Sequence, residues 1–114
     1  MITMKQYMLR FGGFESFDID CQILFLCYFH HNIKVRDKVY PQDIAKYFDE
    51  LQIKDYSPAD ILASLIRESN VPNNTLCKKF DLPNGGKPRR CFFYLRPGVN
   101  NKLKELFFEL GFKD

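Results

Sequence analysis

The sequence predicts an α+β domain in which helices enclose one short strand and one two-stranded hairpin. Apolar residues recur every three to four positions in four segments, which is typical of amphipathic helices. Those segments are residues 16–32, 41–51, 58–68 and 99–110. Two apolar stretches flank Asn84-Gly85, a dipeptide that favours hairpin turns. Apolar and basic residues alternate over residues 33–39, which predicts a short strand with one buried face.

The length and composition fit one globular domain. The chain has 114 residues, of which 46% are hydrophobic and 27% charged, so we do not expect a disordered chain. Residues 1–17 are predicted to form an N-terminal arm, whose first part could also be a short strand. Residues 18–114 are predicted to form the single domain.

The first three helices carry start signals and apolar faces. The segment 16–32 is apolar on most sides, so we expect it to be the central core helix, with His30 and His31 near its C-terminal dipole. Pro41 suits the first position of the second helix. Ser57 and Asp60 resemble a capping box before the third. The expected inner faces are Ile44, Ala45, Phe48 and Leu51, followed by Ile61, Leu62, Leu65 and Ile66.

The hairpin register can be predicted from its turn. With Asn84 at the centre, Lys78 lies opposite Arg90 and Lys79 opposite Arg89. Like charges placed opposite each other destabilise a strand pair, so such pairs indicate an external anion. The same register places Cys77 opposite Cys91. We expect free thiols in a reducing, cytoplasmic setting, and a disulfide across the hairpin is the alternative.

Positive charge is concentrated in residues 75–96. The net charge of the whole chain is only +3, but this stretch holds six cations against Asp81 alone. A local excess of positive charge attracts polyanions. The six cations are Lys78, Lys79, Lys87, Arg89, Arg90 and Arg96.

The last helix has an apolar stripe, and Gly111 is suited to end it. Packing on the core of the protein itself is the default expectation for this stripe. Phe107 and Phe108 fall on neighbouring sides of the helix, however, so one helix cannot easily bury both. A homodimer through the C-terminal helix is therefore the second expectation. The residues assigned to that interface are Leu103, Phe107, Phe108 and Leu110.

The order of the elements resembles the winged helix-turn-helix superfamily. The resemblance rests on VYPQDIAKYF (39–48), SPADILASLI (57–66) and LCKKFDLPNGGKPRRCFFYL (76–95), and it covers residues 18–111. It implies a three-helix core with a short strand, a two-stranded wing and a C-terminal helix. It also implies that helix 58–68 is the recognition helix and that residues 76–95 are the wing.

The resemblance implies a nucleic-acid-binding protein, with DNA favoured over RNA, and a small transcriptional regulator as its role. Helix 58–68 offers few donors for base edges, so we expect the wing to contact phosphates. A charged surface loop, an acidic protein partner and a winged-helix protein–protein interaction module remain alternatives. The residues expected to contact nucleic acid are the six hairpin cations together with Arg67, Ser64, Lys34, Arg36 and Lys38.

Several other classes of protein are not indicated. The sequence contains none of the phosphate-loop, dinucleotide-binding, zinc-protease or nucleophile-elbow motifs, so we expect neither an enzyme nor a cofactor. The cysteines lack zinc-ligand spacing, so no metal is expected. The longest apolar run, residues 23–29, is too short to cross a bilayer, and the start of the chain does not resemble a signal peptide.

Overall fold

The computed structural model describes residues 3–70, 74–81 and 90–112. The α+β class is confirmed: the described residues form five α-helices and one two-stranded antiparallel sheet. The helices are α1 (Met4–Met8), α2 (Ile19–Asn32), α3 (Pro41–Glu50), α4 (Pro58–Asn70) and α5 (Asn100–Glu109), and the strands are β1 (Leu76–Phe80) and β2 (Cys91–Leu95). A 3-10 turn, Phe14–Ser16, lies between α1 and α2.

Helix α2 is the central helix, as predicted. Every residue from Gln22 to His30 is buried, because other elements pack around most of its circumference. Its start is capped by Asp18, whose carboxylate accepts a 2.9 Å hydrogen bond from the backbone N–H of Cys21. Gln22 is buried as well, and its amide donates to the carbonyl of Phe14 at 2.9 Å while its oxygen accepts from the Tyr56 hydroxyl.

The predicted starts of α3 and α4 are confirmed. Pro41 is the first residue of α3, and Asp43 accepts a 2.9 Å hydrogen bond from the backbone N–H of Tyr40. Ser57 and Asp60 form the predicted reciprocal pair at the start of α4, at 3.2 Å and 2.9 Å. In these helices the local sequence was sufficient, because a cap depends on residues three positions apart.

The predicted strand over residues 33–39 is wrong except at its last apolar residue. The backbone N–H of Ile33 still bonds the carbonyl of Phe29, so the α2 ladder runs past Asn32. Val35 is 81% exposed and has a φ of +53°, which a strand does not allow. Only Val39 pairs with β2: it exchanges hydrogen bonds of 2.7 and 2.8 Å with Phe93.

The predicted register of the hairpin is also wrong. Cys77 lies opposite Tyr94, Lys78 opposite Phe93 and Lys79 opposite Phe92. The like-charge pairs therefore do not form, and all four cysteines are free thiols, as expected. The observed register places Leu76 and Phe93 on the side of the sheet that faces the helices, where both are fully buried.

The first residues of the chain, which we expected to be an arm or a short strand, belong to the hydrophobic core. Thr3 and Gln6 form a capping box at the start of α1, and Tyr7 is buried. Phe11 is also buried and makes a β-bridge with Phe112 beyond α5. The two ends of the described chain thus contribute to one aromatic cluster, in which the Phe11 and Phe25 rings are 4.7 Å apart.

Helix α5 packs on the same cluster. Leu103 and Phe107 are buried, and the Phe107 ring lies 4.8 Å from that of Phe25 in an edge-on arrangement. The chain leaves the helix at Gly111, whose φ of +105° favours glycine, as predicted. Within the described part of the chain, no helix has the length and apolar character needed to cross a membrane.

Candidate nucleic-acid interface

The two-stranded sheet has a buried face and a solvent face. Side chains alternate between the faces, and residues directly opposite each other share a face. Because Phe93 points to the core, its neighbours Phe92 and Tyr94 point outward, and so do the residues on either side of Val39. We call this surface the outer sheet face; it comprises Lys38, Tyr40, Lys79, Arg90, Phe92 and Tyr94.

Each aromatic ring of the outer sheet face lies beneath a cation. The guanidinium carbon of Arg90 is 4.0 Å from the centre of the Tyr40 ring. The ammonium nitrogens of Lys38 and Lys79 lie 4.7 Å and 5.4 Å from the centres of the Phe92 and Tyr94 rings. Such contacts hold long cationic side chains over an apolar surface while their charged ends stay in contact with solvent.

Asp81 anchors one end of this surface. Its carboxylate accepts hydrogen bonds from the Lys38 ammonium at 3.0 Å and from the Tyr40 hydroxyl at 2.8 Å. The bond from Lys38, followed by that from Tyr40, lowers the pKa of Asp81, and the same interaction raises the pKa of Tyr40. The segment before α3 is thereby held against the end of β1.

The buried side chain of His30 contacts the backbone of the same segment. Nε2 of His30 lies 2.8 Å from the carbonyl oxygen of Lys38, and Nδ1 lies 2.5 Å from the Tyr47 hydroxyl. Because a carbonyl only accepts, Nε2 carries the proton and Nδ1 accepts from Tyr47. Burial lowers the pKa of His30, which favours this neutral form. The predicted interaction of His30 with the dipole of α2 is thus replaced by contacts with α3 and with residue 38.

The predicted hairpin cations occupy three kinds of position. Lys78, Lys79 and Arg90 are exposed, and none of them forms an ion pair with a carboxylate of the described residues. Arg96 is half-buried, and its Nε is buried without a hydrogen-bond partner in the described part of the chain. Lys87 and Arg89 lie outside the described residues.

The predicted donors of helix α4 are used within the fold. Ser64 is fully buried and donates a 2.5 Å hydrogen bond to Asp20 on α2. Arg67 binds the same carboxylate at 2.7 Å, and this bond is the largest cause of the lowered pKa of Asp20. Ser64 is therefore removed from the candidate interface, since its hydroxyl does not reach solvent. The solvent side of α4 instead carries Ala59, Leu62 and Ala63.

The three cations expected on the first strand do not form one row. Lys34 lies over the Phe29 ring at 5.9 Å, and Arg36 is exposed in the turn that follows Val35. Only Lys38 joins the outer sheet face, where it is paired with Asp81. The alternation of apolar and basic residues failed as a signal here because the backbone of this segment is not extended.

The residues of the predicted dimer interface differ in how far they are buried within the chain. Leu103 and Phe107 are buried within the chain and cannot lie at the centre of an interface. Phe108 is 42% exposed, Leu110 is half-buried, and Leu106, which we did not assign to the interface, is 38% exposed. The homodimer stays a prediction, now restricted to the side of α5 that carries Phe108.

A shallow cavity lies at the Tyr94 end of the outer sheet face. Its volume is about 320 Å³, and Phe92, Tyr94, Lys38, Lys79, His31 and Asp37 line it. Sequence reasoning missed this arrangement of aromatic and basic side chains. The signal that could have revealed it is the alternation of outward and inward residues along β2, which becomes visible only with the correct register.

The comparisons with known proteins give no direct indication of what the candidate interface binds. No family model matches the chain, and no curated protein or solved structure shows a significant similarity to it. Among the described residues, no three His, Cys, Asp or Glu side chains are grouped so that they could hold a metal ion. The functional argument therefore depends on the outer sheet face itself.

Proposed function

We propose that this chain is a winged-helix protein that binds the phosphate backbone of nucleic acid. Duplex DNA is the ligand that we favour over RNA. The order of α2, α3, α4, β1 and β2 supports the winged-helix part of the proposal. So does the pairing of Val39 with Phe93, which adds one bridge residue to the hairpin where the superfamily has a short strand.

The observation that carries the proposal is the exposed positive charge of the hairpin strands. Lys78, Lys79 and Arg90 are exposed and have no ion-pair partner among the described carboxylates, whereas Lys54 and Arg67 are paired with aspartates. In protein–DNA complexes, exposed Lys and Arg side chains supply many of the contacts to phosphate oxygens. Each contact releases condensed counterions, so the affinity should fall steeply with salt.

Base-specific reading through α4 is not part of the proposal. The exposed residues in the first half of α4 include Ala59, Leu62 and Ala63, which offer no hydrogen bonds to base edges, and Arg67 is bound to Asp20. Binding is therefore proposed to depend on the backbone and shape of the ligand. The role as a small transcriptional regulator stays a prediction.

A salt series tests this function. Affinity for generic duplex DNA is measured between about 50 and 200 mM salt for the wild type and for Lys78→Gln/Arg90→Gln. Loss of two phosphate contacts should reduce the slope of log affinity against log salt by about 1.8. The matched control is Lys102→Gln/Lys104→Gln, which removes two exposed lysines from α5 and should leave the slope unchanged. Equal slopes for both double variants would contradict the proposal.

The exposed side of α4 favours a second candidate function, a winged-helix interaction module of a larger complex. Leu62 is 37% exposed and is flanked on the helix surface by Ala59 and Ala63. A photo-crosslinking residue at position 62 should then yield a discrete crosslinked species in cells, and the same residue at position 102 should not. Identical crosslinking at both positions would contradict this candidate.

A further inference from the structure

We propose that the cavity at the Tyr94 end of the outer sheet face binds an unpaired base of a single-stranded segment. This inference rests on the proposed nucleic-acid function and adds a substrate class to it. Tyr94 provides the stacking surface, and Lys79, which also lines the cavity, provides a cation for an adjoining phosphate.

The floor of the cavity is aromatic. The Phe92 and Tyr94 rings are 6.3 Å apart and inclined by 40°. Both rings line the cavity and lie beneath an ammonium group, that of Lys38 over Phe92 and that of Lys79 over Tyr94, but Phe92 is only 8% exposed whereas Tyr94 is half-buried. Tyr94 is thus the ring that a ligand can reach. A volume of about 320 Å³ is at the lower end of the range for small-ligand sites.

The charges around the floor match a nucleotide. Lys79 is exposed, and its ammonium can turn from the Tyr94 ring, 5.4 Å away, toward a phosphate. His31 and Asp37 also line the cavity, and Nδ1 of His31 lies 3.5 Å from a carboxylate oxygen of Asp37. An aspartate at this place repels phosphate but accepts a hydrogen bond from an exocyclic amino group of a base. The lining therefore offers an acceptor for a base edge and a cation for the backbone.

An unpaired base fits this arrangement better than a base pair. A base within a duplex is stacked on both sides, so its ring face cannot reach Tyr94. A base in a single strand exposes that face, and stacking on an aromatic side chain is tolerant of sequence. A duplex contact by Arg90 and the binding of an unpaired base near Tyr94 can occur on one ligand, because Arg90 and Tyr94 lie at different positions on the outer sheet face.

The test compares a blunt DNA duplex with the same duplex carrying a single-stranded overhang, for the wild type and three variants. The wild type should bind the overhang ligand more tightly. Tyr94→Leu keeps an apolar side chain on the strand but removes the ring, so it should lose about tenfold in affinity for the overhang ligand and little for the blunt duplex. Tyr94→Phe should retain the preference. Phe108→Leu, the matched change at an exposed ring on α5, should have no effect.

Lys79→Gln is a further variant that does not depend on packing, since Lys79 lies on the exposed surface of β1. It should weaken overhang binding more than Lys102→Gln does. A wild type that binds both ligands equally, or a Tyr94→Phe variant as weak as Tyr94→Leu, overturns the inference but leaves the proposed function standing. A wild type that binds neither ligand overturns both.

Discussion

The hydroxyl of Tyr40 donates a 2.8 Å hydrogen bond to the carboxylate of Asp81. Tyr40 immediately precedes α3, and Asp81 follows β1, so this bond joins the start of one element to the end of another. Lys38 binds the same carboxylate at 3.0 Å. Asp81 thus orients two members of the outer sheet face, and it is also an acidic group within a basic surface.

Replacement of Asp81 by asparagine should strengthen binding to duplex DNA. The change removes a charge that repels phosphate and releases Lys38 from its ion pair, so one more cation can contact the backbone. The salt slope should become steeper by about 0.9, as expected for one added phosphate contact. Fluorescence anisotropy across a salt series measures this. Asp55→Asn, at an exposed aspartate in the connection before α4, is the control, and an equal effect of both changes would contradict the assignment.

Stability should fall as the pH is lowered through the titration of His30. Burial lowers its pKa below the ordinary value of 6.5, so below that pH the unfolded chain binds more protons at this site than the folded chain. The stability contributed by neutral His30 is therefore complete above pH 6.5 and is lost as the pH falls through the lower folded pKa. Nearby charges act in both directions: Asp43 raises the pKa, and Arg36 and His31 lower it.

Urea unfolding measures this contribution. The free energy of unfolding is determined for the wild type and for His30→Gln at several pH values from about 7.5 to 5, and the two values are subtracted at each pH. Other titrating groups cancel in that difference. The difference should shrink on acidification. A constant difference across this range would show that His30 does not titrate differently in the folded and unfolded states.

Replacement of Val35 by glycine should stabilise the protein. Val35 has a φ of +53° and is 81% exposed, so its β-branched side chain contributes strain and little burial. Relief of a left-handed conformation is worth about 1–2 kcal/mol, which exceeds the entropic cost of glycine, about 0.5–1 kcal/mol. Thermal unfolding should therefore show a higher midpoint for Val35→Gly than for Val35→Ala. A lower midpoint for the glycine variant would contradict this account of the turn.

Two adjacent phenylalanines of α5 should differ sharply in their effect on stability. Phe107 is 1% exposed and packs against Phe25, so Phe107→Ala should cost about 3–5 kcal/mol of the free energy of unfolding. Phe108 is 42% exposed, and Phe108→Ala should change stability by less than about 0.5 kcal/mol in the monomer. Urea denaturation of both variants decides this. A large effect of Phe108→Ala that grows with protein concentration would instead support the predicted homodimer.

The ends of the helices were predictable because their causes are local. Pro41 suits a first helical position, and Asp60 lies three residues after Ser57, so the starts of α3 and α4 could be inferred from residue type and spacing. The burial of α2 was predictable for the same kind of reason, since a helix that is apolar on most sides has no side suited to solvent. The concentration of cations near the hairpin could also be read directly from the chain.

The register of the hairpin and the outer sheet face were not predictable in this way. A connection of several residues between two strands is compatible with more than one register, and turn residues alone do not choose among them. The partner Val39 is far from β2 in sequence, and it holds Phe93 toward the core through two hydrogen bonds. That choice sends Phe92 and Tyr94 outward beneath Lys38 and Lys79.

Amino-acid order alone therefore specified helices α2 to α5, the starts of α3 and α4 and the excess of positive charge, because each depends on residue types and short spacings. Packing in three dimensions decided which residues face solvent together. Full burial of Leu76 and Phe93 is worth about 1.5–3 kcal/mol for each side chain, more than any preference of the turn, and this burial selects the register. The aromatic and cationic surface on the other side of the sheet is a consequence of that selection.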